Sequence, residues 1–411
     1  MVKYIVVGAS HAGVQAAFAL RSANAQSEIT LFSGESHIPY HRPPLSKTYL
    51  SQDIALQAIQ LKPEQAYQDQ NIALHLATPI TRIDLQQQQI ESVHGNVYDY
   101  DVLILATGGN ARRIAISGLK DEDIDYLRDA NDADKIKRNI NKIEHICLIG
   151  GGYIGLELAA SLRQLNKRVT IIESAPRVLN RVVCAQMSEF YQTYHHQNGV
   201  DIRLNTQIKS GVFEGGRYAL VDNHNQTIHC DMLIAGIGLE PSSQLALKAG
   251  IKCNNGIVIN KYCQTNAANV YAIGDCTYSS EPESNYLPRV ESIGNAQAQA
   301  KIAVHHICGL PSPKPELPWF WSDQYKLKLK MVGISADFDN IVLRGDPKSE
   351  RFSCFYLANQ QVIAVDTVNQ SAEFMAAKQL ISNKYTVNAE QLKNPKISIK
   401  EIIEQCQKSF S

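Results

Sequence analysis

No cysteine precedes residue 147 in this chain of 411 residues, and the nine that follow form neither a C-x-x-C nor a metal-ligand spacing. Their odd number argues against a disulfide framework, and Cys147, inside a predicted buried strand, reads as small apolar filler. Net charge is missing too. Lys and Arg number 40 and so do Asp and Glu, so no global field calls for nucleic acid or an anionic membrane. No apolar run reaches the length of a membrane span. Met1 leads straight into a predicted strand, so no signal peptide is expected. The expectation is a soluble, cytoplasmic protein. Its length calls for two or three domains rather than one core.

The most informative stretch runs from His145 to Glu173. His145–Ile149 is an apolar run that predicts a buried parallel strand. Gly150, Gly152 and Gly155 then form G-x-G-x-x-G, and a helix is predicted to open at Tyr153 and run to Leu165. Tyr153 and Ile154 follow the glycine turn directly. A second β-rich run, Val169–Ile172, ends at Glu173. Glycines in this pattern allow a tight turn and a close approach of backbone to a pyrophosphate, whose charge sits on the helix N-terminus. A carboxylate at the end of the second strand accepts both ribose hydroxyls and repels a 2′-phosphate, which favours NAD over NADP. Strand, glycines, helix, strand and acid together predict a dinucleotide-binding unit.

A second such unit opens the chain. Lys3–Val7 predicts a strand, Gly8, Ser10 and Gly13 occupy the three fingerprint positions with Ala12 between the last two, and a helix follows to about Arg21. Ser10 replaces the middle glycine with a small side chain. The acid expected directly after the strand Ile29–Phe32 is displaced to Glu35, beyond Ser33 and Gly34. An internal echo supports two units: Asp101–Gly108, ending Ala106-Thr107-Gly108, resembles Asp231–Gly238, each a buried strand ending in glycine. Tyr271–Asp275 predicts a third short strand, ending in Gly274 and Asp275, with the carboxylate placed to accept hydrogen bonds from a polyol.

This plan resembles the flavin-dependent pyridine-nucleotide oxidoreductases. Arg42-Pro43-Pro44-Leu45-Ser46-Lys47, Trp319–Gln324 and Ser174–Val183 narrow the resemblance to the ferredoxin and rubredoxin reductases that feed electrons to oxygenases. The likeness runs from about residue 2 to 400. It implies an α/β fold with two Rossmann-like domains and a small C-terminal α+β domain covering the flavin. The FAD domain would take residues 1–115 and 245–315, the NAD domain 116–244 and the last domain 316–411. The implied FAD contacts are Gly8, Ala12, Gly13, Lys47, Ile80, Arg128, Asp275 and Ile293, with Arg42 near the cofactor and Trp321 approaching the isoalloxazine. Glu157, Glu173 and Arg181 would face NADH, and Gly238 ends the second echo strand beside its nucleotide. The resemblance also places the Lys47 ammonium beside flavin N5, with Glu157, from the other dinucleotide domain, as its partner.

Within that superfamily, disulfide and peroxide reductases carry a cysteine near positions 38–50, and this chain has none there. Without a thiolate nucleophile, electrons must leave the flavin directly. The expected activity is NADH-dependent reduction of a small, acidic ferredoxin or rubredoxin through FAD. The alternatives are an NADH oxidase or diaphorase, or a non-catalytic NADH-binding protein; monomer and homodimer both stay open.

Other features read plainly. His195-His196, on a predicted amphipathic helix Ala185–Gln197, are expected on a solvated face, and His305-His306 lack partners at ligand spacing. Arg112-Arg113 either approach a phosphate or cap a domain end. Pro311–Pro318 predicts a stiff linker. Tyr325–Met331 alternates as a strand with Tyr325, Leu327, Leu329 and Met331 on one face and Lys326, Lys328 and Lys330 on the other. Those lysines either steer an acidic partner or keep an exposed sheet face soluble.

Overall fold

The computed structural model describes residues 1–52, 54–280 and 289–410. They form two compact units, the first of Met1–His41, Ala55–Asn110 and Leu239–Pro318, the second of Arg42–Ile54, Ala111–Gly238 and Trp319–Ser411. No helix among the described residues is long and apolar enough to cross a membrane.

Each unit is built on a five-stranded parallel sheet. In the first, the order is Val270–Ala272, Val102–Leu105, Lys3–Val7, Glu28–Phe32 and Ile72–His75. In the second it is Val200–Arg203, Arg168–Ile172, His145–Ile149, Met232–Ala235 and Asp125–Tyr126. Parallel strands covered on both faces read as continuous apolar runs, and all five residues of His145–Ile149 are buried accordingly. In the first unit the helices His11–Ala23 and Ile293–Ile307 pack on one another. Their small residues let them close up: Ala16, Ala17, Ala300 and Ala303 are fully buried.

The echo seen in the sequence is atomic in the fold. Asp101 Oδ2 accepts the Lys3 N–H at 2.7 Å, and Asp231 Oδ2 accepts the His145 N–H at 2.9 Å, so each acid fixes the start of the neighbouring first strand. Gly8 N–H bonds Phe32 O at 2.9 Å and Gly150 N–H bonds Ile172 O at 2.8 Å, closing the two turns in the same way.

The C-terminal part of the second unit is an antiparallel sheet, ordered Trp319–Gln324, Leu327–Gly333, Gln361–Val368, Arg351–Ala358 and Asn340–Asp346. Helix Ser371–Ser382 packs on the second and third strands in that order, Leu327–Gly333 and Gln361–Val368. One expectation is corrected here. The second strand begins at Leu327, not Tyr325, because Gln324 pairs with Leu327 and Tyr325-Lys326 make the hairpin turn, with Tyr325 at φ +53°. The lysine row is therefore broken. Lys326, at the turn, pairs with Glu350 at 2.9 Å, and Lys330 donates to Ser371 Oγ at 3.1 Å. The strand is also interior to its sheet, so it guards no edge.

Candidate dinucleotide sites and a buried carboxylate cluster

In the first unit the candidate residues gather at the carboxyl ends of adjacent parallel strands, where doubly wound sheets bind ligands. Gly8 follows Lys3–Val7, Glu35 lies in the loop after Glu28–Phe32, Ala106-Thr107-Gly108 follow Val102–Leu105, and Gly274-Asp275 follow Val270–Ala272. Ser10, Ala12 and Gly13 form the start of the first helix, and Ile293 opens the helix whose N-cap is Ser292. Ile80 begins the strand Ile80–Asp84. Gly8 sits at φ +111°, and a Cβ there would meet Ala106 O at 2.1 Å; a Cβ on Gly13 would meet Gly8 O at 1.9 Å. Only glycine lets turn, helix and neighbouring strand close up. Gly274, at φ +81°, would bring a Cβ to 3.2 Å from that of Ala12, so the third strand end meets the same helix start. The Ser10 side chain makes no cap hydrogen bond, leaving the helix N-terminus to a ligand. Glu35 is engaged by the Tyr40 hydroxyl. These residues fit a dinucleotide such as FAD.

The second unit repeats the cradle. Gly150 has φ +107°, its hypothetical Cβ 2.4 Å from Gly236 O, and a Cβ on Gly155 would lie 2.0 Å from Gly150 O. Gly152 differs: a Cβ there meets nothing within 4 Å, so its small size keeps space open rather than letting protein pack. As the N-cap of helix Tyr153–Gln164 it offers no side-chain acceptor. Glu173 Oε2 accepts the Gly151 N–H at 2.6 Å and Oε1 the Ala175 N–H at 2.7 Å. The carboxylate is thus held beside the glycine turn, where it suits a ribose. Leu179 N–H donates to Gly151 O at 2.9 Å, holding the loop that carries exposed Arg181 against the turn. Ile154 is exposed, and Gly238, at φ +114°, has open space around it. This set fits NADH.

Lys47 and Glu157 lie far apart in sequence, yet both belong to the second unit. The segment carrying Lys47 leaves the first unit's share of the chain and fastens onto this one. Pro43–Ser46 is a short 3-10 turn with proline at its start, and Lys47 caps the helix Thr48–Ser51. Ser161 Oγ donates to Ser46 O at 2.7 Å, Tyr49 Oη to Asp134 Oδ1 at 2.6 Å, and Arg42 Nη1 to Arg128 O at 2.8 Å. Glu157 and Ser161, one helical turn apart, share the face that receives it. Burial and the Asp134 carboxylate push the Tyr49 phenol up to about 12.

Glu157 is 4% exposed. Its Oε2 takes the Lys47 ammonium at 2.7 Å and the Ser46 hydroxyl at 2.6 Å, and its Oε1 takes the Ser322 hydroxyl at 2.6 Å. A buried carboxylate costs several kcal/mol unless its lone pairs are engaged, and three donors engage most of its roughly four acceptor sites here. Ser46 and Ser322 lie within the motif strings of the sequence, which by themselves give neither a role. Period-two alternation in the strand Trp319–Gln324 was the available signal, since it turns Ser322 and Gln324 inward together. Trp321, on the other face, is half-buried and stacks on Trp319 at 5.4 Å.

The histidine pair is a further correction. Helix Ala185–Gln197 forms as expected, but its buried stripe is Met187, Ser188, Tyr191 and His195. Helical spacing carries His195 inward with that stripe, while His196 is exposed. His195 Nε2 meets Gln324 Oε1 at 2.8 Å, and burial lowers its pKa to about 4. Among the described residues no His, Cys, Asp and Glu cluster could hold a metal. His306 stacks on Tyr262 at 4.4 Å, and Arg113 lies over the Tyr126 ring at 4.1 Å and pairs with Asp121.

Residues 2–300 match the family described as pyridine nucleotide-disulphide oxidoreductase, and residues 319–403 match reductase C-terminal. The chain is similar to putidaredoxin reductase of Pseudomonas putida, 40% identical over 405 residues, covering 97% of this chain and 96% of that one. It is 37% identical over 366 residues to a rubredoxin-NAD(+) reductase of Ectopseudomonas oleovorans, covering 89% and 95%. Its fold superposes on the reductase of a covalent putidaredoxin reductase–putidaredoxin complex with a TM-score of 0.93 at 38% identity, covering 99% of both chains.

Proposed function

The chain belongs to the pyridine nucleotide-disulphide oxidoreductase family, and from that premise we propose that it is an NADH-dependent flavoprotein reductase delivering electrons to a small ferredoxin or rubredoxin that serves an oxygenase. The observation that carries the electron exit is the missing thiol: no cysteine precedes Cys147, so the segment that carries Lys47 brings no thiol of its own to form a disulfide or attack a peroxide. A cytoplasmic location is part of the proposal, and the unpaired state of all nine cysteines suits it.

When bound, FAD would supply the chemistry that links two-electron hydride oxidation of NADH to one-electron reduction of the iron protein. Gly8, Ser10 and Gly13 bring backbone close to its pyrophosphate, and Asp275 accepts from its polyol. Glu35 takes the place of the usual ribose acid. In the second unit, Gly150, Gly152 and Gly155 receive the NADH pyrophosphate, and Glu173 its adenosine ribose. Lys47 supplies fixed positive charge where negative charge develops, without giving up its proton. Glu157 holds that ammonium in place, and its own charge is compensated by Ser46 and Ser322. Arg42 and Arg128 brace the segment that carries Lys47.

The test is reduction of cytochrome c by NADH, with FAD bound, in the presence and absence of an added ferredoxin or rubredoxin. Dependence on the iron protein supports the proposal. A rate set by oxygen or quinone alone points to an oxidase, and no turnover with any acceptor to a binding protein.

A further inference from the structure

Beyond the Lys47–Glu157 pair runs a buried polar chain that the reduction chemistry has not used. Ser322, Gln324 and His195 are each 0% exposed. Gln324 Nε2 donates to Ser322 Oγ at 3.1 Å, and His195 Nε2 meets Gln324 Oε1 at 2.8 Å. With Ser322 Oγ on Glu157 Oε1 at 2.6 Å, the line Glu157–Ser322–Gln324–His195 is continuous.

Its polarity follows from the charge at one end. Glu157, paired with Lys47, is an anion and can only accept, so the Ser322 hydroxyl must donate to it. Ser322 Oγ is then the acceptor for the Gln324 NH2, which turns the Gln324 carbonyl toward His195. That carbonyl in turn requires the Nε2–H tautomer of His195. Every donor in the line points at Glu157, an arrangement in which each bond polarises the next. The cost sits at the far end, where His195 Nδ1 is buried with no hydrogen-bond partner. An unsatisfied buried acceptor costs about 1–3 kcal/mol, which an aliphatic residue would avoid. The chain does not relay protons, because the neutral Gln324 amide is too weak an acid and too weak a base to pass one on at ordinary pH.

We propose that Ser322, Gln324 and His195 are positioning residues, a buried strut that pins the Glu157 carboxylate and so holds Lys47 in place. Their relevance to the flavin rests on the reading of Lys47 and Glu157 given above; the strut itself does not.

The test uses Gln324→Leu, His195→Leu and the milder Ser322→Ala, each alone and with Glu157→Gln. Acetylation of Lys47, mapped by mass spectrometry on the folded, FAD-free protein, reports how tightly its ammonium is held. Each single change is expected to speed Lys47 labelling roughly fivefold, within the coupling range of contacting residues, with Lys328 labelling unchanged. In the Glu157→Gln background the same changes add nothing. His195→Gln, which keeps an N–H for Gln324, recovers most of the protection. In the holoenzyme, flavin reduction by NADH slows in the single variants and not further in the double variants. Unchanged Lys47 labelling alongside lowered thermal stability would overturn the strut and leave the three residues as core filling. Faster labelling with an unchanged reduction rate would uphold the strut and remove the pair from flavin chemistry.

Discussion

On the proposed reading, coenzyme choice turns on Glu173. Its carboxylate is tied by the N–H groups of Gly151 and Ala175, so it cannot swing away from a 2′-phosphate. NADH should exceed NADPH in kcat/KM by at least ~10-fold, the scale of about 1.4 kcal/mol. Glu173→Ala should narrow that gap, chiefly by improving NADPH use; equal use by the unaltered protein contradicts the assignment. Lys47→Ala should slow flavin reduction about 10- to 100-fold, the range for removing one fixed electrostatic partner or somewhat below it, while FAD retention changes little. Stopped-flow reduction at the original speed with FAD fully bound would remove Lys47 from the mechanism. His195 carries a pH dependence with a definite sign. Its pKa falls from 6.5 to about 4 on folding, so the unfolded chain binds the extra proton between those values. The stability of the neutral form is complete above about pH 6.5 and is lost as the pH falls toward 4, by on the order of 3 kcal/mol. Burial lowers His145 and His41 in the same direction. Urea midpoints at pH 7 and pH 5 should differ more in the unaltered protein than in His195→Gln.

The glycine turns separate packing from ligand binding at the scale of one element. Gly155→Ala drives a methyl to 2.0 Å from Gly150 O, whereas Gly152→Ala meets nothing. The first should lower the melting temperature and the second leave it unchanged while raising the KM for NADH. Equal melting temperatures for both variants would contradict the division. Both turns were legible in the sequence because glycine spacing and apolar runs are local signals: the strands Lys3–Val7 and His145–Ile149 fall where the pattern places them. The carboxylate cluster was legible only in part. Lys47 and Glu157 emerged through resemblance to a motif, but Ser46, Ser322, Gln324 and His195 meet only through tertiary packing. His195 shows why. A histidine doublet on an amphipathic helix reads as solvated, yet position relative to Met187 and Tyr191 decides which of the two turns inward.

For the molecule as a whole, a nucleotide cradle in each unit and a chain with no cysteine before Cys147 suit the proposed conversion of two-electron to one-electron transfer. The lysine row near Trp321 is a poor candidate for the dock. Lys326 is paired with Glu350 and Lys330, half-buried, donates to the Ser371 hydroxyl, leaving Lys328 as the exposed member of the strand. Replacing all three by Gln should leave the partner's KM and its salt dependence within about twofold, as isolated surface charges contribute little. A large rise in KM with a flattened salt slope would restore the row as the docking surface. The proposed route carries electrons from NADH through bound FAD to an iron protein. It is tested most directly by NADH-driven cytochrome c reduction titrated with purified ferredoxins and rubredoxins. The rate should start near zero and rise to saturation with at least one of them. A rate that is already maximal without any iron protein, matched by oxygen consumption, contradicts it.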